Sequence, residues 1–82
     1  MKIKDIMENI MEEKGVGKAQ LGRAIGIDDS KHPSDVISKR LKQENISVKV
    51  LDEMLTVLGY TMVIVPAGSK IKDGEYEVTI NE

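Results

Sequence analysis

Two short amphipathic helical patterns, joined by a glycine and a polar connector, constrain the fold of this chain most. The first occupies residues 17–26 and the second occupies Pro33–Lys42. Apolar residues recur at helical spacing in both, and polar residues fill the opposite face of the second. Pro33 favours the first turn of a new helix, and Gly26 is a typical helix end. Gly22 lies inside the first pattern, where a small residue suits two helices that cross closely.

The flanking segments predict two more helices. Residues 3–14 carry apolar side chains on one face and charged ones on the other. Gly15 suits the left-handed conformation that ends a helix, and Gly59 is a similar stop for the last helix. Ser47 is a good N-cap for that helix. The predicted helices therefore span residues 3–14, 18–25, 33–43 and 48–58.

The pattern changes after Tyr60. Residues 61–65 are short and rich in β-branched side chains, and residues 75–80 alternate strictly between polar and apolar. A turn-forming cluster at residues 66–69 separates them. The sequence thus predicts a mainly α fold of four or five helices, with a C-terminal β-hairpin. Residues 1–60 form the helical domain, and residues 61–82 form the hairpin.

Composition sets outer limits on the function. With 82 residues the chain forms one small domain, and it contains no Cys. Disulfides and thiolate metal sites are therefore excluded, which fits a cytoplasmic protein. No apolar run approaches the roughly 20 residues of a membrane span, and no secretory signal pattern is present. We expect no membrane association.

Charge is unevenly distributed although the net charge is only −2. Residues 14–49 hold eight Lys or Arg against four Asp or Glu, whereas residues 51–82 hold two against six. A phosphate-facing surface needs local positive charge rather than a high overall isoelectric point. The middle of the chain meets that requirement.

The sequence contains no residue pattern that indicates an enzyme active site. His32 is the only histidine, and no metal-ligand spacing surrounds it. The adjacent pairs Glu12-Glu13 and Asp28-Asp29 point about 100° apart on a helix, which makes a poor catalytic dyad. We expect no catalysis, no cofactor and no bound metal.

The helical pattern at Pro33–Lys42 has the layout of a DNA-reading helix. Such a helix reads base edges in the major groove with its N-terminal part, and nearby cations meet phosphate. The predicted base-facing residues are Lys31, His32, Ser34, Asp35, Ser38 and Lys39. The predicted phosphate contacts are Lys18, Arg23, Lys42 and Lys49. An incidental charged surface is the alternative interpretation.

These segments resemble the phage-repressor, or XRE-type, helix-turn-helix family of DNA-binding proteins. The matching residues, in order, are Glu13-Lys14-Gly15; Leu21, Ile25, Gly26 and Ile27; Ile37-Ser38-Lys39; and Leu51, Met54, Leu58 and Gly59. The resemblance covers residues 3–60 and implies a lambda-repressor-like fold that binds double-stranded DNA.

Three departures from the family pattern stand out. Gly17-Lys18 replaces the usual Thr-Gln at the start of the second helix, and Gly22 replaces a residue that is often Ala. The connector before the third helix is about five residues longer than usual, which leaves residues 28–32 as an insertion. That insertion either shifts the recognition helix or makes its own groove contact.

The resemblance implies a sequence-specific transcriptional regulator, a bacterial or phage repressor, that acts as a homodimer. Relatives with a short C-terminal β element often dimerise through it. The predicted dimer contacts are Met62, Ile64, Tyr76, Val78 and Ile80. Two alternatives stay open: the antitoxin of a toxin–antitoxin pair, with a toxin as partner, and a protein-interaction module that binds no DNA.

Overall fold

Four amphipathic segments form the four α-helices of the structure, a computed structural model that describes residues 1–43 and 45–79. The prediction of a mainly helical chain is confirmed, and each helix ends within one residue of its predicted end. A one-turn 3-10 helix at Asp29–Lys31 precedes the third helix. The α-helices are α1 (Ile3–Lys14), α2 (Lys18–Ala24), α3 (Pro33–Lys42) and α4 (Val48–Val57).

Among the described residues, the buried apolar side chains of the core are all Ile, Leu or Met. Helix α1 contributes two adjacent pairs at helical spacing, so its predicted apolar face is the buried one. Met7, Leu21, Ile37 and Met54 are fully buried, which joins all four helices in one core. The buried apolar residues are Ile6, Met7, Ile10, Met11, Leu21, Ile37, Leu41, Leu51, Met54, Leu55 and Leu58.

The predicted helix ends have the expected hydrogen bonds. Gly15 adopts φ 67°, and the N–H of Val16 donates to the carbonyl of Met11 at 2.9 Å. The N–H of Val50 donates to Oγ of Ser47 at 3.2 Å, which caps α4. Beyond α4 the N–H of Tyr60 donates back to the carbonyl of Leu55 at 2.9 Å. Local sequence signals therefore set where these helices stop.

Helices α2 and α3 form the most extensive helix–helix contact, and it depends on a buried glycine. A Cβ atom placed on Gly22 would lie 2.6 Å from Cβ of Pro33 and 3.0 Å from its carbonyl oxygen. The proline ring and the backbone cannot swing aside as the end of a flexible side chain would. The two helices approach this closely because Gly22 has no side chain.

The predicted C-terminal β-hairpin is not formed in the described part of the single chain, which contains no strand. Two tight turns occur instead: the N–H of Ser69 donates to the carbonyl of Pro66, and the N–H of Glu75 donates to that of Lys72. A lone two-stranded hairpin is at best marginal in water, and residues 61–65 are apolar on both faces, so neither face fixes a register.

The hairpin residues predicted for dimerisation differ in their surroundings. Met62, Ile64 and Val78 are exposed, whereas Tyr76 is half-buried against the core. In the single chain the ring of Tyr76 packs beside the ring of Tyr60, and its dimer contact stays a prediction. Ile80 lies outside the described residues.

Residues 61–75, which we call the arm, are held at both ends. The ring centroids of Tyr60 and Tyr76 are 6.2 Å apart, and Nζ of Lys14 lies 5.9 Å from the Tyr60 ring. Beyond Tyr76, the N–H of Thr79 donates to the carbonyl of Met1 at 2.9 Å. The arm thus leaves the helical domain at one tyrosine and returns at the other.

We expect Tyr60 to ionise above the ordinary phenol range of about 10. Burial and the nearby Glu13 carboxylate raise the pKa of Tyr60. Because the unfolded chain ionises first, the stability tied to this group is present below pH 10 and is lost as pH rises through the folded-state pKa. Tyrosinate absorbance during a pH titration measures the shift.

The variant Glu13→Gln should lower the pKa of Tyr60 only in part, because burial remains. The variant Tyr60→Phe assigns the signal, since the chain has only two tyrosines and no tryptophan. An unshifted Tyr60 would contradict its packing against Glu13 and Tyr76.

Replacing the buried glycine should destabilise the fold. Gly22→Ala gains about 1 kcal/mol in helix propensity. It also forces the α2–α3 contact apart, and overpacking of this kind costs about 1–3 kcal/mol. We expect a net loss of up to about 2 kcal/mol in the free energy of unfolding, measured by urea denaturation. Gln20→Ala, at an exposed position of the same helix, is the control, and a Gly22→Ala variant more stable than the wild type would contradict the contact.

Candidate nucleic-acid interface

Helix α3 buries one face and leaves the other open along its length. Pro33, Ile37 and Leu41, each four residues from the next, are buried against the rest of the chain. The residues on the other side are exposed except for Ser38, which is half-buried. The exposed ones are Ser34, Asp35, Lys39 and Lys42. The polar flank of the helix is therefore not covered by its own chain.

The connector into α3 is a short ordered turn. Its 3-10 helix ends at Lys31, and His32 follows in the left-handed region with φ 55°. The carbonyl of His32 accepts hydrogen bonds from the N–H groups of Asp35 and Val36, at 3.0 and 3.1 Å. The side chains of Lys31 and His32 are exposed. The insertion thus places both predicted base-facing side chains immediately before the first turn of α3.

An ion pair joins this connector to α2. Nε of Arg23 donates to Oδ1 of Asp29 at 2.7 Å, and the two side chains are 58% and 74% exposed. Because this contact uses Nε, the two terminal nitrogens of the guanidinium take no part in it. These two nitrogens carry four of the five N–H donors. Arg23 is one of the predicted phosphate contacts, and a carboxylate already orients its guanidinium.

Four of the predicted site residues line one open cleft between α2, the connector and α3. They are Arg23, His32, Ser34 and Asp35, with Ala19, Asp29 and Pro33 completing the lining. The cleft carries both signs of charge, because Asp29 and Asp35 lie beside Arg23. It offers hydrogen-bond donors and acceptors at the exposed start of α3.

The remaining predicted cations are distributed over three helices. Lys18 is half-buried at the start of α2, and Lys49 is exposed in the first turn of α4. Lys39 and Lys42 lie toward the C-terminus of α3. In the part of the chain that the structure describes, none of these four lysines lines the cleft.

Two searches of the described ranges, 1–43 and 45–79, bear on other site types. In those ranges no three His, Asp or Glu side chains are grouped so that they could hold a metal ion. No helix there has the length and apolar character needed to cross a bilayer.

The sequence predicts neither the Arg23–Asp29 ion pair nor the 3-10 turn. The two residues are six positions apart and belong to different elements, so helical spacing gives no hint of their contact. The turn had a weak local signal in Asp28, Asp29 and Ser30, which are typical turn residues.

Comparison of the chain with models of protein families, with curated proteins and with solved structures gave no significant match.

The Arg23–Asp29 pair should contribute little to stability because both side chains are well exposed. In a double-mutant cycle with Arg23→Ala and Asp29→Ala, we expect a coupling energy of about 0.2–1 kcal/mol. Urea denaturation of the four proteins measures it, and the coupling should shrink as salt is added. A coupling above about 2 kcal/mol would mean that the pair supports the fold rather than orienting an exposed arginine.

Proposed function

We propose that this chain is a sequence-specific DNA-binding regulator that inserts α3 into the major groove. The open polar flank of α3, opposite its buried face, is the observation that supports this function. A helix that reads DNA must present polar side chains outward while its other face is fixed to the domain. The resemblance of residues 3–60 to XRE-type helix-turn-helix proteins favours the same function.

Residues of α3 and of the connector before it supply the chemistry for base recognition. Lysine donates to O6 and N7 of guanine, a role for Lys39, and a carboxylate accepts from N4 of cytosine, a role for Asp35. Lys31, His32 and Ser34 extend this exposed set toward the connector, and Ser38 joins it with a more restricted reach.

We assign phosphate binding to the cationic side chains on and around this helix. These are Lys18, Arg23, Lys42 and Lys49. Such contacts set position and affinity rather than sequence preference. Asp29 holds the Arg23 guanidinium in place, so less freedom is lost when a phosphate oxygen binds its outer nitrogens.

Two copies on an inverted repeat complete the proposed mechanism. Recognition helices about 34 Å apart reach successive major grooves on one side of the duplex. Occupancy of such a site in the cytoplasm would block transcription by steric exclusion. No catalytic step is required.

Salt dependence of DNA binding tests the function. For the wild-type chain, the logarithm of the affinity for a duplex should fall linearly with the logarithm of salt concentration. Lys42→Ala and Lys18→Ala should each reduce that slope by about 0.9, the change expected for one lost phosphate contact. Fluorescence anisotropy with a labelled duplex measures both quantities. Lys4→Ala, at an exposed position of α1, is the matched control and should leave the slope unchanged.

A different result would favour a protein-interaction module, which the acidic net charge and the acidic tail support. If Lys18→Ala and Lys39→Ala leave DNA affinity untouched and DNA retention is independent of salt, the regulator function is wrong. An antitoxin would share the DNA result and would in addition form a stable complex with a toxin.

A further inference from the structure

The connector into α3, residues 28–32, has an ordered backbone although it adds nothing to the core. All of its side chains are exposed. The N–H of Lys31 donates to the carbonyl of Asp28 at 2.9 Å. The N–H of His32 donates to the carbonyl of Asp29 at 3.1 Å, which closes the 3-10 turn. A surface segment that is ordered but buries no side chain is suited to presenting side chains to a partner.

Helix α2 holds the connector on both sides of His32. Asp29, which precedes it, accepts the hydrogen bond from Nε of Arg23 at 2.7 Å. Pro33, which follows it, packs on Gly22, the residue next to Arg23. The extra length of the connector therefore does not separate the two helices, because α3 still begins in contact with α2. The backbone of His32 has a defined position between these two contacts.

The fold requires the backbone conformation of His32 but not its side chain. Among the described residues, His32 is the only one other than glycine with a positive φ, and its φ of 55° is left-handed. Glycine adopts that conformation without steric cost. The carbonyl of His32 accepts from the N–H groups of Asp35 and Val36, whereas its side chain makes no hydrogen bond that caps α3. An exposed side chain at a strained position that the fold does not need indicates a functional role.

Lys31 and His32 are adjacent and exposed, and both carry hydrogen-bond donors. Lysine donates to O6 and N7 of guanine in the major groove, and an imidazole N–H can donate to the same acceptors. Guanine is the base whose major-groove edge presents two acceptors and no donor. The two side chains of the connector therefore match guanine, whereas the carboxylate of Asp35 matches the amino group of cytosine.

The connector and the middle of α3 can reach different base pairs. From His32 to Lys39 the helix rises about 10 Å, at about 1.5 Å per residue. Successive base pairs of a duplex are only about 3.4 Å apart. A base contact of His32 is therefore separable by experiment from a base contact of Lys39.

We propose that the connector is a second reading element, in which Lys31 and His32 contact a guanine next to the base pairs read by α3. Asp29 is a positioning residue, because it holds the connector against α2 through Arg23. This inference rests on the proposed function and extends each half-site by the bases that the connector contacts. It identifies the insertion as a groove contact of its own, rather than as a spacer that shifts α3.

A set of duplexes with single base-pair replacements tests the reading element. Selection from a random DNA pool by the wild-type chain supplies the parent site, and fluorescence anisotropy measures the loss of affinity at each position. Replacing the guanine read by the connector should weaken wild-type binding by about 5- to 150-fold. His32→Gly, which keeps the left-handed backbone, should lower that loss, and adding Lys31→Ala should remove it. Lys39→Ala should instead lower the loss at a position read by α3.

The positioning role of Asp29 has a separate test. Asp29→Ala should lower the loss at the connector position, as His32→Gly does, and should leave the losses at the α3 positions unchanged. Removing a carboxylate also makes the chain less acidic, which raises affinity for every duplex alike. Glu8→Ala, at an exposed position of α1, makes the same change in net charge and should leave every positional loss unchanged. Circular dichroism checks that all variants keep their helices.

Two outcomes would overturn the reading element and leave the proposed function in place. In the first, His32→Gly and its combination with Lys31→Ala read every position as the wild type does. In the second, they weaken binding to all duplexes equally, as the loss of a phosphate contact would. Wild-type positional losses in Asp29→Ala would overturn its positioning role. A wild-type chain without any sequence preference would contradict both this inference and the proposed function.

Discussion

The close contact between Gly22 and Pro33 fixes the position of α3 against α2. It allows α2 and α3 to approach until a single methyl group would not fit between them. Pro33 is at once the first residue of α3 and the partner of that glycine, so the start of the helix is fixed in place. Everything proposed for the exposed flank of α3 depends on this placement, because a helix that could slide or rotate would not hold Asp35 and Lys39 in a defined register.

Local sequence signals predicted the helical part well, for a clear physical reason. Helix ends at Gly15, Ser47 and Gly59 depend on backbone conformation and on hydrogen bonds to residues nearby in the chain. The buried faces follow from periodicity, and Gly22 was correctly read as a close crossing. Two contacts could not be predicted, because each joins residues that belong to different elements. They are the contact of Gly22 with Pro33 and the ion pair between Arg23 and Asp29.

The C-terminal segment shows the opposite behaviour. Alternation at residues 75–80 and β-branching at residues 61–65 describe a preference for strands, but a strand exists only when another strand pairs with it. Within one chain that pairing is absent from the described residues, and the apolar side chains stay in solvent. The rings of Tyr60 and Tyr76 hold the arm to the helical domain, so the arm is positioned even though it is unpaired. The strand preference of these residues is therefore not realised in the described residues of one chain.

In the proposed function, α3 reads DNA and two copies of the chain occupy an inverted repeat. Selection of bound duplexes from a random DNA pool by the wild-type chain tests this most directly. We expect an enriched inverted repeat whose half-sites are separated by about one helical turn. Enrichment of no sequence at all would contradict recognition by α3, and enrichment of a single unrepeated half-site would contradict the paired arrangement.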